Sequence, residues 1–244
     1  MNEMGELLVK AKEIVVPGQE LATGMDFLPA NGTYREDDKI ISSQLGLVNV
    51  DGRLIKIIPL NGKYVAKRGD TIIGRIVDMS FSNWYVDIGC ANDAVMSSRD
   101  STEFVEKGAD LSQYYSFNEY ISAQVTKTTR STIEITMRAP GLRKLGPGKM
   151  LRVAASKVPR IIGKQGSMIT LIKDRTGTRI IVGQNGLIWI QGDPENVMIA
   201  TEAIQTIEKK AHLDGLTDEI TKFLEIKCKN LKVVKGEPNV QETK

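Results

Sequence analysis

Between Arg160 and Ile172 the sequence reads RIIGKQGSMITLI, an apolar helical pattern that breaks for Gly163-Lys164-Gln165-Gly166 and resumes at once. Two glycines three positions apart at a helix start let the backbone approach a ligand, because a Cβ at either place would hold that ligand off. The flanking residues fix the surroundings of the break. Val158-Pro159 brings proline's pre-set φ to a first helical turn, so a short helix runs into Gly163. A second helix starts just after Gly166, with Met168, Ile169 and Ile172 spaced to face a core. MLRVAAS, upstream, is a strand candidate. TRIIVG and LIWIQG, downstream, flank Gln184-Asn185-Gly186, a hairpin signature. Asp193-Pro194-Glu195 then opens a long helix with an N-cap, a proline at the first position and a carboxylate at the positive dipole end. Val197, Ala200, Ile204, Ile207 and Ala211 make its core stripe. The unit runs strand, helix, GKQG, helix, strand, strand, helix.

Charge is concentrated around the same bend. The whole chain carries only +3, but residues 141 to 213 hold 12 basic and 5 acidic groups. From Glu134 to Asp174 nine cations (Arg138, Arg143, Lys144, Lys149, Arg152, Lys157, Arg160, Lys164, Lys173) follow one another with no carboxylate between. Solvated faces usually mix both signs, so a one-signed stretch points to a polyanion. RAPGLRKLGPGK, with five Gly or Pro and four basic residues, reads as a linker lying beside that partner.

The rest of the chain is β-rich. Residues 1 to 66 are punctuated by Asn31-Gly32, Asp51-Gly52 and Asn61-Gly62 around β-branched runs such as RLIKIIPL, which predicts a small all-β docking module. From Gly69, TIIGRIVDMS, FSNWYVDIG, NDAVM, YISAQVTKTTR and STIEITMR make five short strands, with an irregular insert from Ser97 to Asn118. Five strands in about 70 residues fit an oligonucleotide- or oligosaccharide-binding (OB) barrel. Trp84 and Tyr85, with Phe81 nearby, stand where bases could stack, although the segment's 6 basic and 10 acidic residues disfavour a strong phosphate groove. After Leu213, TDEITKFLEIKCKNL predicts one more helix and KGEPNVQETK a frayed end.

Several functions are disfavoured. Cys90 and Cys228 are far apart and have no partner at metal-ligand spacing, so neither a disulfide framework nor a zinc site is expected. The only histidine is His212, no Walker-type loop occurs, and the carboxylates of the barrel segment are scattered. A non-catalytic chain without cofactor or metal is expected. No apolar run nears the roughly 18 residues that span a bilayer and no leader opens the chain, which predicts a soluble, cytoplasmic protein with no membrane contact.

Helices meeting at a Gly-x-x-Gly turn present backbone N–H groups to a sugar-phosphate chain, with Lys164 adding charge, Gln165 reaching a phosphate or sugar, and an apolar groove taking about four splayed bases. Residues 149 to 211 resemble a type I KH domain, matching its IIGxxGxxIxxI core at Ile161, Ile162, Gly163, Gly166, Ile169 and Ile172. Residues 69 to 138 are similar to the RNA-binding OB domain repeated in the largest bacterial small-subunit ribosomal protein. Tyr85 stands at that domain's surface aromatic, Met96 where a histidine is usual, and Arg99 where an acidic residue is usual. VVPGQEL, GTYREDDKIISSQLGLV and YVAKRGDTIIG resemble the opening of the exosome's RNA-binding cap subunits. The whole is similar to the KH-bearing cap subunits of the archaeal exosome.

That resemblance implies a multidomain α+β chain: a β-rich N-terminal domain (1 to 66) docking on a nuclease ring, an OB barrel (67 to 140), a type I KH domain with its basic linker (141 to 213), and a C-terminal helix and tail (214 to 244). It implies single-stranded RNA as ligand and a hexameric phosphorolytic exoribonuclease ring as partner, with three cap copies per assembly guiding 3′ ends inward. The expected RNA contacts are Arg160, Ile162, Gly163, Lys164, Gln165 and Gly166 at the bend, Arg143, Lys144 and Lys149 beside it, and Trp84, Tyr85 and Arg99 on the barrel. Two alternatives stay open from sequence. One is a transcription elongation factor with OB and KH modules, although the bacterial factor of that kind carries two KH copies of the other topology. The other is a structural plug whose basic patch binds protein.

Overall fold

The computed structural model describes residues 5–60, 62–106, 108–129, 131–211 and 215–234, with side chains as far as Lys227 in the last helix. Asn61 of the Asn61-Gly62 pair, His212, the Cys228 side chain and the KGEPNVQETK end therefore lie outside the described residues. Two compact units divide the chain, one ending at Gly62 and one beginning at Lys63.

The first unit is all β, in two small sheets. Strands β1 (Ile14–Val15), β6 (Gly46–Asp51), β7 (Leu54–Pro59) and β3 (Leu28–Pro29) form one, in that order. The other is β2 (Glu20–Thr23), β5 (Lys39–Ser42) and β4 (Thr33–Glu36). Asp51-Gly52 makes the expected hairpin between β6 and β7. Asn31-Gly32 instead carries the chain from one sheet to the other, between β3 and β4. Val15, Leu21, Ile40, Val48, Ile55 and Ile57 fill the space within.

The second unit begins with a closed five-strand barrel of β8 (Thr71–Met79), β9 (Asn83–Asp87), β10 (Ala94–Ser97), β11 (Tyr120–Thr128) and β12 (Ile133–Thr136). Parallel pairing of β10 with β12 closes it. Period-two alternation sends Ile72, Ile76, Trp84, Val86, Met96, Ile121, Val125 and Ile135 inward, all essentially without solvent contact. Trp84 is thus core and not a stacking surface: its ring meets Tyr115 edge-on at 5.1 Å, and its exposure is 0%. Met96 also points inward. On β8 the alternation fails at Ile73, an outward residue that is nonetheless buried. The KH sheet covers it.

That sheet is antiparallel, ordered β13 (Lys149–Arg152), β15 (Leu187–Gln191), β14 (Arg179–Val182). One face carries α1 (Val158–Ile162), α2 (Ser167–Thr176), α3 (Pro194–Lys209) and α4 (Leu216–Val234). Helix α3 is enclosed by the sheet and by the other helices, so Ile199, Thr201 and Ala203 are buried along with the expected Ala200, Ile204 and Ile207. Ala211 lies past the helix end. The opposite face of the sheet, through Leu187, Trp189, Met150 and Ile181, packs on Ile73, Tyr120 and Leu145 of the barrel side. The layers are helices, KH sheet, barrel.

Candidate nucleic-acid interface

Helix α1 is five residues long because nothing after Ile162 continues it. Gly163 closes it by donating its N–H to the Pro159 carbonyl at 3.0 Å, then leaves at φ 75, ψ 175, a conformation open essentially only to glycine. A Cβ there would lie 2.7 Å from the Met168 Cβ and 2.8 Å from its nitrogen. Gln165 and Gly166 follow, both left-handed at φ 54 and φ 80. The bend is held by Gly166 N–H donating to the Gly163 carbonyl at 3.2 Å, and by Ser167 N–H donating to the Lys164 carbonyl.

Gly166 differs from Gly163 in one respect: the position a Cβ would take there is open, with nothing within 4 Å. The fold needs the first glycine for space. The second keeps the surface clear. Beyond it the first-turn amides of α2 after Ser167, whose own N–H is taken by Lys164, have no acceptor within the helix and sit at the positive end of its dipole, which suits phosphate oxygens. Lys164, Gln165 and Arg160 are exposed around them, while Gly163, Gly166 and Ile162 are half-buried. Ile162, Leu171 and Val182, each partly open, pack against the KH core. The expected bend residues are therefore brought together.

The linker residues Arg143, Lys144 and Lys149 are exposed, and the first two also have partners within the fold. Residues 143 to 145 run alongside the part of β11 that β12 leaves unpaired: Ser122 N–H donates to the Arg143 carbonyl, and Leu145 N–H to the Tyr120 carbonyl. Arg143 stacks over the Trp189 ring, 5.7 Å from its centroid, and Trp189 Nε1 donates to the Gly146 carbonyl at 3.0 Å. Lys144 pairs with Glu119 at 2.6 Å and stands 5.8 Å over the Tyr115 ring. Burial pushes the Glu119 carboxyl up, but the Lys144 ammonium and the Ser116 N–H outweigh it and leave it below the usual range. Both cations thus have intramolecular work. Lys149 is exposed on β13, the KH edge strand away from β14.

On the barrel, Tyr85 is half-buried on the outer face, across from Asp78 and Val95. Arg99 is exposed in a short 3-10 turn after β10. Phe81, in the β8–β9 turn, is 81% exposed, so the open aromatic near Tyr85 is Phe81 and not Trp84. Sequence reading also missed the task of Asn185. Its Oδ1 accepts from Ile73 N–H at 3.2 Å, and its Nδ2 donates to the carbonyls of Ile73 and Ile88 at 2.6 and 3.0 Å. Among the described residues no group of three or more His, Cys, Asp or Glu gathers to hold a metal ion, and no helix is long and apolar enough to cross a membrane.

Fold and bend together define a class: a nucleic-acid-binding protein that sets an S1-type OB barrel and a type I KH domain behind a β-rich N-terminal domain. Family models agree in all three parts: the Rrp4 N-terminal region of the exosome complex exonuclease description over residues 14–51, the Rrp4 S1 domain over 63–127 and the KH domain over 149–206. The exosome complex component Rrp4 of Thermococcus kodakarensis is 41% identical over 94% of this chain and 91% of its own length. That of Pyrococcus furiosus is 40% identical over 98% and 94%. A crystal structure named for an exosome complex RNA-binding protein superposes with a TM-score of 0.61 at 30% identity, covering 70% of this chain and 99% of that one. The chain belongs to the Rrp4 family of exosome components.

Proposed function

We propose that this subunit captures single-stranded RNA without cleaving it and guides 3′ ends into a phosphorolytic ring, three copies capping one hexamer. The observation that carries the reading is the open surface at Gly166, a left-handed glycine whose missing side chain serves no neighbour in the fold. Docking on the ring falls to the N-terminal unit. Ile14, Leu47 and Ile58 are cross-strand partners in one row of its larger sheet, and Ile14 and Ile58 are 60% and 50% exposed. Leu54 and Leu28, also paired and exposed, lie on the same face four residues from Ile58 along β7, beyond Lys56. Two exposed apolar patches on one sheet face, separated by the Asn49–Lys56 pair, suit a protein partner with an apolar and polar surface of its own.

The test has two parts. Purified chain incubated with labelled RNA, magnesium and phosphate should leave the RNA intact, and shortening of the RNA would remove the non-catalytic reading. Mixed with ring subunits, the chain should give a native mass of one hexamer plus three copies, whereas Ile14→Glu/Ile58→Glu should not associate.

A further inference from the structure

A cleft that holds RNA at a Gly-x-x-Gly bend needs a second wall for the bases, and the loop joining β14 to β15 is the obvious candidate within the KH domain. Here that loop is only Gly183 to Gly186, and it is already engaged. Gln184 N–H donates to the Thr71 carbonyl at 2.7 Å, Gly186 N–H donates to Gly183, and the Gly186 carbonyl accepts from Val153. Asn185 makes its three bonds to the barrel. The loop cannot lift to cover a base.

Register locates what replaces it. β13 and β14 both run antiparallel to β15, and β13 ends at Arg152 opposite Leu187, so β13 and β14 finish at the same end of the sheet as the 183–186 loop. Helix α1 starts just beyond that end and α2 returns to Thr176, near the start of β14. The GKQG bend therefore stands at the loop end. Across the sheet, α2 packs over β14 and α3 over β15, which places the bend on the β14 side. Beneath, the 143–146 linker lies against Trp189 of β15, and Ile73 of β8 lies against Ile181 of β14 and Leu187. β9 flanks β8 on the side away from β11. The carbonyl of Ile88, the residue just past its end, accepts from Asn185 at the tip of the 183–186 loop, and the next residues form the turn Gly89 to Asp93, in which Asn92 and Asp93 are exposed.

The geometry points to this barrel turn as the second wall of the KH cleft, with Asn92 and Asp93 reading base edges while GKQG holds the phosphates. This rests on the RNA-binding reading of the bend and adds its selectivity. The Asp93 carboxylate only accepts, and takes a hydrogen bond from the exocyclic amino group of adenine, cytosine or guanine while the Asn92 amide donates to the adjacent ring atom; uracil offers only its N3–H between two carbonyls, which a carboxylate meets less favourably. The two sides of the cleft differ in charge, Arg160 and Lys164 against Asp93, so the strand is oriented with phosphates to the helices and bases to the barrel.

Fluorescence anisotropy of the full chain with decaadenylate and decauridylate tests it. Wild type should bind decaadenylate about fivefold more tightly, and Asn92→Ala/Asp93→Ala should bring the ratio below about twofold. Removing Asp93 also removes a negative charge and tightens both RNAs alike, so the readout is the ratio, in which adenine self-stacking cancels between proteins. Equal affinities in wild type, or a ratio unmoved in a double variant of unchanged circular dichroism, would overturn the inference. Gly166→Asp is the control: loss of both RNAs with an unmoved ratio in the double variant sinks the barrel wall alone. Wild-type binding by Gly166→Asp removes the bend reading and this one with it.

Discussion

The two glycines of the bend look alike in sequence and do different work. Gly163→Ala forces a side chain into a glycine-only conformation and onto Met168, so we expect a loss of about 2–4 kcal/mol in denaturant unfolding, with RNA binding falling only as the fold does. Gly166→Asp meets no neighbour and strains only a left-handed residue, costing about 1 kcal/mol. It should nevertheless abolish most RNA binding, through bulk and like charge at the phosphate site. Unchanged RNA affinity in a folded Gly166→Asp protein would contradict the assignment. The spacing of the pair was legible because helix periodicity resumes on both sides. Which aromatic lies inside was not. Trp84 and Tyr85 are adjacent in a strand and must point opposite ways, and period-two text fixes their alternation without its phase. The phase is set by partners far along the chain, since Tyr115 comes from the insert to meet the Trp84 ring.

At the scale of elements, the sequence identified nearly every strand and helix of the second unit but not how its two folds join. Asn185-Gly186 reads as a hairpin and is one. That its tip fastens the KH sheet to the barrel depends on contacts 112 residues apart, which no local pattern records. Asn185→Ala would strand one donor and two acceptors at a part-buried junction, for a cost of about 2–3 kcal/mol. Hydrogen exchange should then quicken at Ile73 and Gln184 while the interior of each fold stays protected; uniform exchange would show that the junction is not the weak point. The linker makes a second joint through Lys144 and Glu119. Because the folded carboxyl titrates below its ordinary range, its contribution is present above that range and is lost as pH falls through the depressed value. Solvent screens the pair, so Glu119→Gln should cost only about 0.5 kcal/mol at pH 7. The difference from wild type should vanish once the pH lies below the depressed value, and a gap that persists there would assign it to packing instead.

For the whole molecule, the question is how a single short bend could retain RNA against solvent. On the proposed reading one GKQG contacts about four nucleotides, and Arg143 and Lys144 are partly committed within the fold, so the isolated chain should bind weakly. Three to five phosphate contacts give a log-log salt slope of about −2 to −3.5 for a short strand. Three copies around one pore, as proposed, would change the arithmetic without any new contact, because a strand caught by one copy would meet the others at an effective concentration in the millimolar range. A pentanucleotide reaches only one bend and should bind the isolated chain and the capped ring with similar affinity per copy. A 30-nucleotide strand should bind a capped ring whose nuclease is inactivated at least about a hundredfold more tightly than the isolated chain, with a slope two to three times steeper. Gly166→Asp in all three copies should erase the gain from length. If the pentanucleotide gains as much from assembly as the long strand does, the ring itself supplies the affinity and the copies do not act together.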